Sequence, residues 1–148
     1  MIRQTAAIAA LMLGFSACST MQPTRDHVVR SSTACSDETV QIYFESFSAE
    51  VTKEGRAVLN AAAKDSKACK VTGVDVLGLA DAVGGTPGDN LELSKRRAQA
   101  VTQALTAAGL PAAEFKVAAA GDAGATNKSG EPRPLRRRAD IVLHMSPK

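Results

Sequence analysis

Gly78-Leu79-Ala80-Asp81, a turn Ala82-Val83-Gly84-Gly85-Thr86-Pro87-Gly88-Asp89, and the run Asn90-Leu91-Glu92-Leu93-Ser94-Lys95-Arg96-Arg97-Ala98-Gln99-Ala100-Val101 decide the fold. An apolar strand ends in an acid, a glycine-rich turn follows, and a helix begins. Asn90 is a good N-cap residue. Leu91, Ser94, Ala98, Val101, Leu105 and Ala108 recur at steps of three and four, which predicts one packed helical stripe. Gly109 suits a left-handed position after the helix, Leu110 the apolar contact that follows, and Pro111 the stop. Asp81 lies just past the carboxyl end of the strand, the edge where open α/β sheets bind ligands. The first amides of the helix, at Asn90, Leu91 and Glu92, would favour an anion there. Arg97 is seven residues after Asn90, almost two turns, so both point the same way. That direction is the border of the apolar stripe, whereas Arg96 points outward. Asp81 and Arg97 together would hold a ligand carrying both an ammonium and a carboxylate. The plain alternative is that the two pair with each other.

Outward from this stretch, Thr39 to Glu45 is β-rich. Thr52 then caps a helix with Glu54 in its first turn; Val58, Leu59 and Ala62 form its apolar face, and Val51 staples its start. Val71 to Leu79 is nearly continuous in Val and Leu, which predicts burial on both faces. Phe115, Val117 and Ala119 alternate as a third strand, and Ala139 to His144 makes a fourth. The expected fold is α/β: a two-layer sandwich of order βαβαββ, with two helices on one face of a mixed four-stranded sheet. Gly121 to Pro134 has no periodic pattern, the mark of a functional or mobile loop.

The amino-terminal end reads as an address. Arg3 precedes an apolar run, Ala6 to Phe15, too short to span a bilayer. Ser16 and Ala17 then precede Cys18, a pattern similar to a bacterial lipobox; the alternative is an ordinary secretory signal with Cys18 a bystander. The expected division is a signal peptide at 1–17, a lipidated terminus and flexible tether at 18–36, and one domain at 37–148. Three acyl chains would anchor such a chain firmly. Of the three cysteines, removal of Cys18 leaves Cys35 and Cys69, an even pair in an oxidising compartment. Each precedes a strand, and a disulfide is expected if those strands run parallel as neighbours. Two free thiols are the alternative.

Net charge is only +3, which argues neither for nor against a polyanionic partner. Aromatics make up 3% of the chain, so the core must rest on Ala, Val and Leu. Arg136-Arg137-Arg138 is basic, but an exported chain of slight charge meets no nucleic acid. His27 and His144 have no ligand spacing to Cys35 or Cys69, so no metal site is read. No Walker lysine and no nucleophile-base pair appear, so neither a cofactor nor an enzyme is expected.

The central motif resembles the OmpA-like peptidoglycan-binding domain. The family pattern of Gly-x-Thr-Asp, a Gly-containing loop, Asn, Leu-Ser and Arg-Ala-x-x-Val stands here as Gly78-x-x-Asp81, Asn90, Leu93-Ser94 and Arg97-Ala98-x-x-Val101. Upstream, Tyr43 to Thr52 looks like the family's first strand-to-helix segment. Downstream, Arg137-Arg138-Ala139-Asp140-Ile141 resembles its closing Arg-Arg-Val-Glu-Ile. The resemblance implies non-covalent binding of the peptidoglycan stem peptide. Asp81 would meet the ammonium of a diaminopimelate, with Arg97 and the helix start at Asn90 and Leu91 meeting its carboxylate. Arg137 is either a ligand contact or a structural pair. With a lipid on Cys18, such a protein would tie the outer membrane to the wall from the periplasmic side. Four departures stand out: Ala80 replaces the family threonine, Asp89 an aromatic, Glu45-Ser46-Phe47 the usual acidic-aromatic-polar order, and the loop before Asn90 is one residue longer. The alternative is an envelope interaction module that keeps the fold, has lost the wall, and meets a protein partner through Gly121 to Pro134.

Overall fold

The computed structural model describes residues 35–110 and 114–148. The expected signal peptide, the expected lipid site at Cys18, nearly all of the expected tether, and Pro111 lie outside them. Strand β1 (Glu38–Tyr43), helix α1 (Lys53–Asp65), strand β2 (Lys70–Gly78), helix α2 (Pro87–Ala107), strand β3 (Glu114–Ala119) and strand β4 (Arg138–Ser146) follow in order, with short 3-10 turns at Ser66–Ala68 and Pro134–Arg136. The sheet order is β1-β4-β2-β3. β4 runs antiparallel to both β1 and β2, while β2 and β3 are parallel. This is the expected mixed four-stranded sheet with two helices, and β1, β2 and β3 all finish at the same edge.

The core lies between sheet and helices. Val40, Ile42, Val74, Val76, Ile141 and Leu143 from the strands meet Leu59, Ala62, Ala63, Ala98, Val101 and Leu105 from the helices. Each fully buried Val, Leu or Ile contributes about 1.5–3 kcal/mol, and each alanine much less. In α1, Leu59 and Ala62 are buried as expected, but Val58 is 45% exposed and Gly55 takes its place on the inner face. Thr52 caps that helix by accepting from the Gly55 amide at 3.0 Å.

β2 corrects a second expectation. Its burial alternates, with Val71, Val74 and Val76 inward, while Thr72 and Leu77 are exposed. A register shift between Val71 and Gly73 lets two valines three apart share one face, which hid the period.

α2 begins a turn earlier than Asn90. Thr86 is its N-cap and Pro87 its first residue. Thr86 accepts from the Asp89 amide, and the Asp89 carboxylate accepts from the Thr86 amide at 3.0 Å and hydroxyl at 2.8 Å. This reciprocal cap holds the Asp89 carboxyl below its usual range. The other end follows the sequence: Gly109 has φ 78°, its amide reaches Thr106 O at 3.1 Å, and the Leu110 amide reaches Leu105 O at 3.2 Å.

Gly78 sets how closely α2 lies on β2. A Cβ there would stand 1.9 Å from the Ser94 carbonyl oxygen. We expect Gly78→Ala to lower unfolding free energy by about 1–3 kcal/mol through forced displacement of α2; an unchanged urea midpoint would show that the helix is not held there.

Cys35 and Cys69 form a disulfide, with Cα atoms 5.7 Å apart. Their strands run parallel but are not neighbours, because β4 lies between them. The bond therefore closes below the end of β4 rather than between adjacent strands. Beside it, His144 is bridged by Asp37 at 2.8 Å and Asp75 at 3.1 Å. Hydrogen bonds to these two carboxylates raise the imidazole pKa, and the same His144 contact lowers that of Asp37. The His144 contribution is complete below the ordinary imidazole value and fades as pH rises through its raised native value. The Asp37 contribution is present above the ordinary carboxyl value and fades as pH falls through its lowered one. The clamp is therefore fullest between about pH 4 and 6.5. The denaturation midpoint of the parent should fall between pH 6 and 8.5 more than that of His144→Gln; identical slopes would refute the clamp.

Candidate functional site at the carboxyl edge of the sheet

Three connections meet where β1, β2 and β3 end. Their backbones are stitched to one another: Phe44 N donates to Arg137 O at 3.0 Å, Leu79 N to Arg138 O at 2.9 Å, and Ala80 N to Gly121 O at 2.7 Å. Asp81 emerges from this seam with a side chain only 7% exposed. Arg137 Nε stands 3.5 Å from its Oδ2, and Arg137 is 32% exposed. The same guanidinium also donates to the Ser46 hydroxyl. Arg137 thus pairs with Asp81 at the protein surface.

Arg97 is placed differently. It is wholly buried, deeper than the border position read from the helix spacing. Its Nε donates to Ser48 O at 2.8 Å, one terminal nitrogen to Leu79 O at 2.8 Å, and the other to Glu45 O at 3.2 Å. The guanidinium carbon lies 5.1 Å from the centre of the Phe44 ring. Burial pulls the Arg97 pKa down, the Asp81 charge pushes it back up, and Arg137 lowers it. It remains a cation. Three of its five N–H groups thus brace the backbone of the β1–α1 and β2–α2 connections. Asp81 and Arg97 sit within each other's field, yet the ion partner of Asp81 is Arg137.

Asn90 is buried one turn inside α2 rather than at its cap. Its amide already donates to Thr86 O at 2.9 Å, so it is not an open anion site. Its side-chain NH2 donates to Asp122 Oδ2 at 2.9 Å, tying the β3–β4 loop to the helix. Leu91 is part-exposed instead of heading the packed stripe. Gly121 makes the closest approach there: φ is 54°, and a Cβ would stand 3.3 Å from Leu91 Cα. The Gly121 amide donates to Ser94 Oγ at 3.0 Å.

Sequence reasoning named Ser46 only within a departure from the family order and missed Asp122; their partners lie 91 and 32 residues away. Phe47, in the same departure, is 66% exposed, has φ 58°, and lays its ring against Gly84. With Val83 and Leu91, Phe47 gives this edge an exposed apolar character beside the Asp81–Arg137 pair. Among the described residues no cluster of His, Cys, Asp and Glu could hold a metal, and no helix is long and apolar enough to cross a membrane.

Residues 43–139 match the family model described as OmpA family. The chain belongs to the OmpA family. Among curated proteins, it is 33% identical over 104 residues to "Probable lipoprotein YiaD" of Escherichia coli K12, covering 69% of this chain and 47% of that protein. The chain thus spans about half the length of this curated relative. Among solved structures, the cell wall anchor of the T6SS from Pseudomonas aeruginosa is 31% identical, with TM-score 0.59, over 74% of this chain and 82% of that one. The peptidoglycan-associated lipoprotein from Burkholderia pseudomallei is 26% identical, with TM-score 0.56, over 70% and 89%. The OmpA-like domain of FopA1 from Francisella tularensis, at 21% identity and TM-score 0.60 over 75% and 73%, shares the fold. In this OmpA-family chain the motif residues Gly78, Ser94 and Arg97 are those that lock strand, helix and loops together.

Proposed function

We propose that this OmpA-family domain binds peptidoglycan without covalent chemistry, and that its site is the Asp81 edge. The observation that carries the reading is a shielded carboxylate at the strand edge, held by one partly exposed arginine at 3.5 Å rather than by a closed internal network. An ammonium on a stem peptide takes the Asp81 carboxylate, as charge-assisted pairs do. The carboxylate of the same diaminopimelate then faces Arg137 and the positive field of Arg97, whose main task is to brace the loops. Asn90 holds the β3–β4 loop through Asp122, and Leu91 and Phe47 cover the methylenes of the ligand. Similarity to a cell wall anchor and to a peptidoglycan-associated lipoprotein supports this reading. A lipid on Cys18 would place the domain on the periplasmic side of the outer membrane, where tethering compensates for modest single-site affinity.

Co-sedimentation of the exported chain with purified sacculi tests the proposal. Most of the protein should pellet, and free diaminopimelate should release it; a chain that stays in the supernatant at low salt overturns the reading.

A further inference from the structure

The end of the β3–β4 loop and the start of β4 carry Arg133, Arg136, Arg137 and Arg138 within six residues. Two of these have acids. Arg137 meets Asp81, and Arg138 holds Asp140 at 2.6 and 3.2 Å. Among the described residues, Arg133 and Arg136 have no ion-pair partner. Both line a hollow of about 480 Å³ with Pro132, Pro134, Leu135 and Arg138. Leu135 is 68% exposed, so the hollow is apolar as well as basic. Arg136 donates through one terminal nitrogen to Ala123 O, while its Nε is shielded from solvent and has no hydrogen-bond partner among the described residues. A shielded, charged donor without an acceptor is costly, and a turn of the Arg136 side chain that brought it to an oxyanion in the hollow would relieve it. The acids of the loop are turned to other tasks: Asp122 accepts from Asn90, and Glu131 accepts from Asn127 at 2.7 Å.

We infer that this hollow is a second subsite that binds a carboxylate carried on an apolar body, next along the chain from the Arg137 that holds Asp81. An acidic peptide is the ligand class. The identity of that peptide as part of the wall polymer rests on the function proposed above; the carboxylate chemistry does not. A polymer offering an ammonium to Asp81 and a carboxylate to Arg133 and Arg136 would be read at two points of opposite charge, which fixes its direction on the domain.

The test uses the full chain carrying Cys18→Ser, so that no acyl chain contributes. Short poly-L-glutamate is titrated into the parent, Arg133→Gln, the double variant Arg133→Gln/Arg136→Gln, and Asp81→Asn; sacculus binding is followed in parallel across salt concentrations. The double variant should bind polyglutamate about tenfold more weakly and sacculi several-fold more weakly, with a flatter salt dependence, and remain displaceable by diaminopimelate. Arg133→Gln, at an exposed position, should show part of the same loss without disturbing the fold, and Asp81→Asn should not weaken polyglutamate binding. Equal polyglutamate affinity in the parent and both arginine variants overturns the subsite. Binding to phosphatidylglycerol vesicles but not to polyglutamate also overturns it, in favour of a lipid surface. A parent that ignores sacculi but binds polyglutamate through these arginines sinks the wall reading and leaves the subsite standing.

Discussion

Arg97→Ala is expected to unfold this domain or leave it barely folded, with a loss of about 3–5 kcal/mol. The substitution removes a wholly buried side chain and strands three carbonyl oxygens, those of Glu45, Leu79 and Ser48. The stranded Leu79 carbonyl is buried and costs about 1–3 kcal/mol before the empty volume is counted, and the part-buried carbonyls of Ser48 and Glu45 cost less. The three carbonyls come from two connections, so both loops lose their brace together. Arg97→Lys separates charge from geometry. An ammonium on a flexible stem keeps the cation but replaces the planar fork that reaches all three. It should recover only part of the loss. Urea denaturation followed by circular dichroism measures both; a parent-like midpoint for Arg97→Ala would show that the loops hold themselves.

Asp81→Asn should leave the fold standing and remove wall binding. Truncating one partner of a shielded charge pair costs about 2–5 kcal/mol in binding, or roughly thirtyfold and upward. The neutral amide keeps the shape of the carboxylate, so the effect isolates charge. Arg137 loses its ion partner but keeps the Ser46 hydroxyl and remains partly in water, which limits the effect on stability. Taken together, the two variants would divide the motif, with Arg97 expected to govern folding and Asp81 the ligand. Sacculus retention of Asp81→Asn equal to the parent would end the assignment of this edge as the site.

The strand and helix order, and the acid at the strand edge, were legible because period and caps are local signals. Gly109 and Leu110 close α2 in the geometry their types predict. The start of α2 was misplaced although its signals were present: Thr86, Pro87 and Asp89 stand at the cap, first and third positions. Gly84, Gly85 and Gly88 around them gave the segment the look of a longer turn. That misreading also left Asp89 as no more than a departure from the family aromatic, when it is part of the helix cap. The role of Arg97 was not legible at all. A helical position tells which way a side chain points, but its three acceptors lie 18, 49 and 52 residues away and meet it only in the finished fold. The Arg137–Ser46 contact has the same origin.

The disulfide has a mechanical consequence. Cys35 lies at the opposite end of β1 from the loops around Asp81, so tension between that cysteine and those loops runs along the strands. Ladder hydrogen bonds lie across the strand direction. All six register pairs of β1 with β4 would therefore resist sliding at once instead of peeling apart in turn. The bond to Cys69 passes part of the load directly to the chain entering β2, bypassing the edge strand. A pull of this kind meets the domain in its stiffest direction.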